Sequence, residues 1–310
     1  MQRVQRRDLM PFSLSVAALA AAATVPARSP RDPSAPPPPL PLVAIQPAKA
    51  APDMRVALDL LQALGVKPFE ALIPAQVRAH PTPADSVKAV MTNQGMPTAP
   101  DPAVATQDMP YGSDPLQFVR VYRPASAAPN AALPVIVYWH GGGWVLADVN
   151  VYDAAPRMLA KELNATVLSV EYQKAPQAEF PSQHEDAIAA YRFVLANAAR
   201  MGGDTSHMSF AGESAGGDLT VATAIHACDN RLPPTIIVNA QIDPLRSDGE
   251  TLAQAMRVAD VRVEQRTFPA VTHEMFGIGK VVRGAMDANI YAVGKLKAAF
   301  ASGSTRPRRR

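Results

Sequence analysis

The stretch Gly212-Glu213-Ser214-Ala215-Gly216-Gly217 constrains this chain more than any other part of it. A strand-like run, His207 to Ala211, comes before it and a helix-like run, Asp218 to Cys228, comes after. A serine between a strand and a helix, with glycine two positions to either side, is the sequence form of a sharp turn. Such a turn pushes the hydroxyl out at the carboxyl edge of an α/β sheet. Gly212 and Gly216 leave room for a backbone forced into strained dihedrals. A serine hydroxyl is a weak nucleophile until a base takes its proton. The reading therefore requires a base, and donors for an oxyanion, elsewhere in the chain.

The donors are legible upstream. Pro134 to Trp139 has the pattern of a buried strand, and His140-Gly141-Gly142-Gly143-Trp144 follows it directly. Consecutive glycines let a backbone approach a ligand and aim its amides inward. A loop after a strand of a parallel sheet lies on the same edge as the serine turn, which makes a merely flexible glycine turn the poorer reading. Gly142, Gly143 and Ala215 are expected to supply the N–H groups of an oxyanion hole. Such donors stabilise a tetrahedral intermediate by roughly 3 kcal/mol each. His140, Gly141 and Trp144 are read as shaping the loop.

On sheets of this kind the order along the chain is serine, acid, histidine. Downstream of Ser214 stand His226, inside the helix-like run, and His273, in a loop after the strand-like run Val261 to Phe268. His273 is the candidate base. His80, His184 and His207 have no comparable setting. Asp243 directly follows the strand pattern Pro234 to Gln241 and is the candidate acid; it would hold one imidazole tautomer and stabilise the imidazolium. Asp248 is the alternative, read as the start of a helix from Gly249 to Val258. Glu213 is expected to point away from the serine and to be structural.

These residues resemble the hormone-sensitive-lipase-like branch of the α/β-hydrolases, which includes bacterial esterases and acetyl hydrolases. The resemblance rests on the two glycine motifs, on Glu171-Tyr172-Gln173-Lys174-Ala175-Pro176 with Phe180-Pro181, on Asp243 to Gly249, and on Thr272-His273-Glu274. It covers roughly Pro52 to Phe300. It implies an α/β-hydrolase sheet, mostly parallel with helices on both faces, an N-terminal helical cap, and hydrolysis of short-chain esters without metal or organic cofactor. The family's serine, acid and base fall on Ser214, Asp243 and His273, and its glycine-loop amides on Gly142 and Gly143. Gln173 replaces the usual arginine after the tyrosine.

One departure concerns the fold. Between Ser214 and Asp243 there is room only for one helix and one strand, where family members fit a further central strand and a lid segment. The junction lies between Ala227 and Pro233. The sheet is therefore expected to lack one central strand, and the strand–helix–strand unit that remains is expected to close right-handed. The Asp243 strand would then lie beside the Ser214 strand.

The 310 residues are 48% hydrophobic, which suits one large domain. The net charge is only +3, and the basic excess is concentrated at the ends, which argues against a nucleic-acid surface. Cys228 is the only cysteine, which excludes an intrachain disulfide and a cysteine metal site. Residues 1–27, with Arg6-Arg7 ahead of an apolar alanine-rich run and Val25-Pro26-Ala27 as a cleavage site, read as a twin-arginine export signal. That places the protein in the periplasm or outside the cell, with the cytoplasm as the alternative and no membrane span after processing. Residues 28–50 read as a proline-rich linker, 51–100 as the helical cap, 101–303 as the hydrolase core and 304–310 as a basic tail. Within these, helices are expected over Met54 to Leu64, Pro74 to about Met91, Gln183 to Arg200 and Lys280 to Ala301. Strands are expected over Leu116 to Arg123, which would open the sheet, and Ala165 to Tyr172. The expected activity is hydrolysis of a small-molecule ester through a Ser214–His273–Asp243 triad. An amide or lactone hydrolase, or a catalytically impaired binding protein on the same fold, is the alternative. The oligomeric state is left open.

Overall fold

Apolar residues recurring at every second position on two faces build the centre of the molecule. The computed structural model describes residues 12–16, 50–228 and 232–303. Among these, eight strands form one sheet: β1 (Phe12–Val16), β2 (Val104–Pro110), β3 (Phe118–Pro124), β4 (Leu133–Trp139), β5 (Thr166–Val170), β6 (Gly203–Glu213), β7 (Thr235–Ile242) and β8 (Val263–Thr272). Their spatial order is β2-β3-β5-β4-β6-β1-β7-β8. β3 is antiparallel to both its neighbours, and every other pairing is parallel.

β4 illustrates the two-sided burial. Ile136 and Tyr138 pack into one apolar cluster, while Val135, Val137 and Trp139 pack into another on the opposite face. The first cluster takes Leu159 of α4 (Ala154–Leu163) and Ala288, Ala292 and Leu296 of α8 (Arg283–Gly303). The second takes Ala190 and Val194 of α5 (Ser182–Asn197) and Leu219 and Ala224 of α6 (Ala215–Ala227). α7 (Arg246–Val258) adds Leu252 and Met256 against Ile237. Each such side chain, fully buried, contributes roughly 1.5–3 kcal/mol, and the sum holds helices on both faces of the sheet.

Several expectations are corrected. The strand near Leu116 does not open the sheet: β1 and β2 both precede it in the chain, and β2 forms the edge beside it. β2 went unread because it is an edge strand whose only buried residue is Val104, so it lacks a buried-strand pattern. The single helix expected from Pro74 to Met91 is two, α2 (Pro74–Arg78) and α3 (Pro83–Asn93). Pro81 and Pro83 cause the break, because proline has no N–H to donate and its ring disfavours helix in the residue before it. Thr82 then starts α3 afresh in a reciprocal cap with Asp85. α1 (Pro52–Ala63) lies close to where the pattern put it, and the Ala51 N–H donates to the Ala270 carbonyl at 3.0 Å, fastening it to β8. Met54, Ala57, Val87 and Met91 of α1 and α3 join the first core cluster. This segment both lies on the sheet's flank and rims the cavity described below.

The largest correction concerns the centre. The sheet does not lack a central strand, and β6 and β7 are not adjacent: β1 lies between them, parallel to both. Leu14 stands opposite Ala211 on one side and Ile236 on the other. A strand in that place pairs two edges at once. Closure would instead have moved β7 and β8 by a strand spacing, about 4.8 Å. The remainder of residues 1–27, nearly all of 28–50, and the 304–310 tail lie outside the described residues.

α6 meets the sheet at two glycines. A Cβ on Gly216 would collide with the carbonyls of Trp139 and His140, and one on Gly212 with the carbonyl of Gly216. These obstacles are backbone and cannot rotate away. Gly216→Ala is expected to destabilise the fold by roughly 1–3 kcal/mol, read as a lower urea midpoint at unchanged slope.

Candidate active site

Four parallel strands end at one rim and each delivers a residue there. β4 runs into His140 to Trp144, β6 into Ser214, β7 into Asp243 and β8 into His273. Ser214 has φ 53 and ψ −123, a backbone conformation that L-residues rarely adopt and that persists only when packing enforces it. α6 begins at the next residue, so the Ala215 amide is one of the helix's unpaired amino-terminal donors.

The His273 ring Nδ1 donates to Asp243 Oδ2 at 2.7 Å. The Asp243 side chain is 4% exposed, so water does not compete for it. The other ring nitrogen, Nε2, lies 3.6 Å from Glu274 Oε1. Among the described residues no hydrogen bond joins that nitrogen to Ser214, but the two side chains wall the same small cavity together with Asp243 and Glu213. His273, Glu213, Glu274 and Gly142 also line a far larger cavity of about 1340 Å³, roofed by Lys67, Phe69 and other residues of the 51–100 segment. Gly142 and Gly143 have φ 113 and 59. Among the described residues, the amides of Gly142, Gly143 and Ala215 donate to no protein acceptor.

His140 is fully buried; its Nδ1 donates to the Gly141 carbonyl at 2.7 Å and its ring stacks on Tyr172 at 4.4 Å. The Tyr172 hydroxyl donates to the His140 carbonyl. The Trp144 carbonyl accepts from Ala175 N–H. Beneath the loop, Glu171 forms a buried ion pair with Lys174 and accepts from Val149 N–H at 2.9 Å. Burial pushes the Glu171 carboxyl up, but the neighbouring His140 and Lys174 outweigh it and hold the group down at about 2. His226 is exposed beside Arg192, and Asp248 lies in the first turn of α7.

Glu213 is a correction. It does not point away: its side chain is buried, accepts from the Tyr138 hydroxyl and borders both cavities. Burial, with Glu274 as a like charge nearby, raises its carboxyl to about 8. Glu274 and its donor Tyr152 went unread as site residues. Glu274 directly follows His273 and sits at φ 63, but its meeting with Tyr152 is long-range and has no local sign. Burial alone would pull the His273 ring down. The Asp243 hydrogen bond and the Glu274 and Glu213 carboxylates more than offset this and lift it to about 9.

A serine on a strained strand-to-helix turn, an imidazole–carboxylate pair and free glycine-loop amides, all on the carboxyl rim of a mostly parallel sheet, define an α/β-hydrolase. A profile of the alpha/beta hydrolase fold matches residues 136–232 and 229–277, in two pieces that meet where the spacing places the junction. Carboxylesterase NlhH of Mycobacterium tuberculosis is 29% identical over 293 residues, covering 71% of this chain and 91% of its own length. An alignment that long over that share of 310 residues leaves several tens of NlhH residues without a counterpart here. An arylesterase of Saccharolobus solfataricus is 34% identical over 136 residues, 44% of each chain. The solved hyperthermophilic esterase of Pyrobaculum calidifontis superposes with a TM-score of 0.68 at 24% identity, over 81% of this chain and 98% of its own. These matches support an α/β-hydrolase esterase family for the chain.

A base must be neutral to accept a proton. With the imidazole raised to about 9, activity on an aryl ester is expected to climb with pH along a limb well above the ordinary histidine value of about 6.5. Glu274→Gln removes one nearby negative charge and should move that limb roughly a unit lower. A pH profile of kcat/KM for both proteins checks this. The raised imidazole also stabilises the fold below about pH 6.5, a contribution lost as pH rises through about 9.

Proposed function

We propose that this chain hydrolyses short-chain carboxylic esters through an acyl-enzyme on Ser214. Ester hydrolysis is the chemistry of its family; the assignment of roles is our reading. Ser214 Oγ attacks the ester carbonyl carbon while its proton passes to His273 Nε2. The tetrahedral oxyanion is met by the amides of Gly142, Gly143 and Ala215. Collapse breaks the bond to the alkoxy group, which leaves as the alcohol with the proton from His273. Water, deprotonated by the same imidazole, then attacks the acyl-enzyme and frees the acid. Asp243 holds the Nδ1–H tautomer, so that Nε2 carries the lone pair, and it steadies the imidazolium formed in each half.

The observation that carries this reading is the 2.7 Å bond from His273 to buried Asp243 at the rim where Ser214 emerges. Free amides at the glycine loop support it, because the donors an oxyanion needs are not already spent on protein acceptors. The wide cavity over the rim supports an open preference among small acyl groups.

Ser214→Ala is expected to abolish turnover of p-nitrophenyl acetate. Asp243→Asn should lower kcat by about 10⁴-fold at unchanged fold, since it favours the wrong tautomer. Across p-nitrophenyl esters of increasing acyl length, kcat/KM should show no sharp optimum, because a wide cavity leaves each added methylene short of the roughly 10–200-fold that a fitted apolar pocket gains from it. A sharp optimum at one length would count against the open pocket.

A second reading, a binding protein with an impaired base, draws on the 3.6 Å approach of Glu274 to Nε2, the nitrogen that the mechanism needs for Ser214. It predicts ester binding without release of acid in the wild-type chain, and turnover appearing in Glu274→Gln.

A further inference from the structure

Among the described residues, the chain between Ser214 and Asp243 is spent on α6 and β7 and supplies no strand to the place between β6 and β7. That place is the middle of the sheet. On one side, Ser209, Phe210, Ala211 and Glu213 are buried; on the other, Thr235, Ile236, Ile237 and Val238. An empty slot there would leave a row of backbone N–H and C=O groups on both edges without partners and away from water. Each such group costs on the order of 1–3 kcal/mol, which a fold of ordinary stability does not survive several times over.

The slot is filled from far away in sequence. Phe12 to Val16 pairs with Ser209 to Glu213, and Ser13 to Val16 pairs with Thr235 to Val238. The segment, Phe-Ser-Leu-Ser-Val, alternates apolar residues with serine, the period of a strand. It runs parallel to both neighbours, so Val16 ends opposite Glu213, next to the nucleophile.

We propose that the gap between β6 and β7 is a strand-acceptor site and that its occupant is the chain's own amino-terminal segment Phe12–Val16, retained in the folded protein. The segment replaces a strand that the chain lacks at its usual place in sequence, and it holds β7 one strand away from β6. Main-chain pairing to two exposed edges is the means of recognition, as in other cases of strand addition. Residues 12–16 also fall inside the stretch that reads as an export signal. Removal of residues 1–27 and occupation of the slot exclude one another in a single molecule, so the two readings make opposite predictions.

The test uses the full chain. In a central parallel strand, successive residues bond to opposite neighbours. Leu14→Pro and Ser15→Pro therefore each remove a ladder N–H, one on each side, while Ala35→Pro, in the proline-rich stretch, is the control. Each strand proline is expected to lower the melting temperature by roughly 6 °C or more and to speed hydrogen exchange in Ser209–Glu213 and Thr235–Val238; the control should do neither. Strand prolines that behave like the control would overturn the proposal. In a second arm, a protease site placed at Pro33–Ser34 is cut after folding. The amino-terminal fragment is expected to stay with the remainder through gel filtration, or its loss to unfold the remainder. A fragment that leaves while the remainder keeps its melting temperature would overturn the proposal, as would a protein isolated already cut after Ala27 that melts at the full-length temperature. The melting and exchange readouts do not depend on ester turnover, so failure of the catalytic assignment would leave them informative.

Discussion

A hydrogen bond of 2.7 Å between a buried carboxylate and an imidazole governs the rest of the account. Asp243 and His273 leave the ends of β7 and β8, which are hydrogen-bonded neighbours, so their meeting is secured locally. The distance of this pair from Ser214 is not local. It depends on how many strands separate β6 from β7, at about 4.8 Å each. One strand more or fewer is a larger displacement than any hydrogen bond tolerates. The chemistry at the rim therefore rests on backbone pairing in the middle of the sheet, and the segment that provides it comes from the opposite end of the chain.

The electrostatics of the rim are unusual in the number of acids gathered around one base. Asp243 touches one ring nitrogen, Glu274 stands near the other, and Glu213 borders the same cavity. Two tyrosine hydroxyls, of Tyr138 and Tyr152, donate to the extra carboxylates. Glu213 is buried and Glu274 half-buried, and these donors offset the cost of holding carboxylates there. Together the acids stabilise the imidazolium, which in the proposed mechanism would favour proton transfer from the serine once the ring is neutral and lower the neutral fraction at modest pH. The same surroundings thus strengthen the base and restrict the range in which it works.

The sequence carries most of the rim because turn chemistry is local. Gly212, Ser214 and Gly216 announce a strained turn by residue type alone, and Ser214 sits at φ 53. Asp243 and His273 are legible as residues that follow apolar runs. Three features are not legible in this way. β2 exposes most of its residues, so periodicity does not mark it. The break between α2 and α3 follows from Pro81 and Pro83, a local signal that helical apolar spacing overrides on first reading. The slot occupant is harder. Phe12–Val16 is embedded in an apolar alanine-rich stretch whose composition fits a leader, and pairing across such a separation leaves no trace in local pattern. Glu213 departs from its expected orientation for a related reason: strand alternation gives the face a side chain starts from, and the hydrogen bond from Tyr138 decides where its carboxylate ends.

The most direct measurement is covalent capture of the nucleophile. The full-length protein is treated with a fluorophosphonate and the modified residue located by peptide mass mapping, alongside a His273→Ala variant shown to be folded by circular dichroism. The account predicts a single adduct on Ser214 in the wild-type chain and a loss of labelling of at least about a thousandfold in the variant. An unmodified Ser214 in folded wild-type protein, or equal labelling without the imidazole, would contradict it.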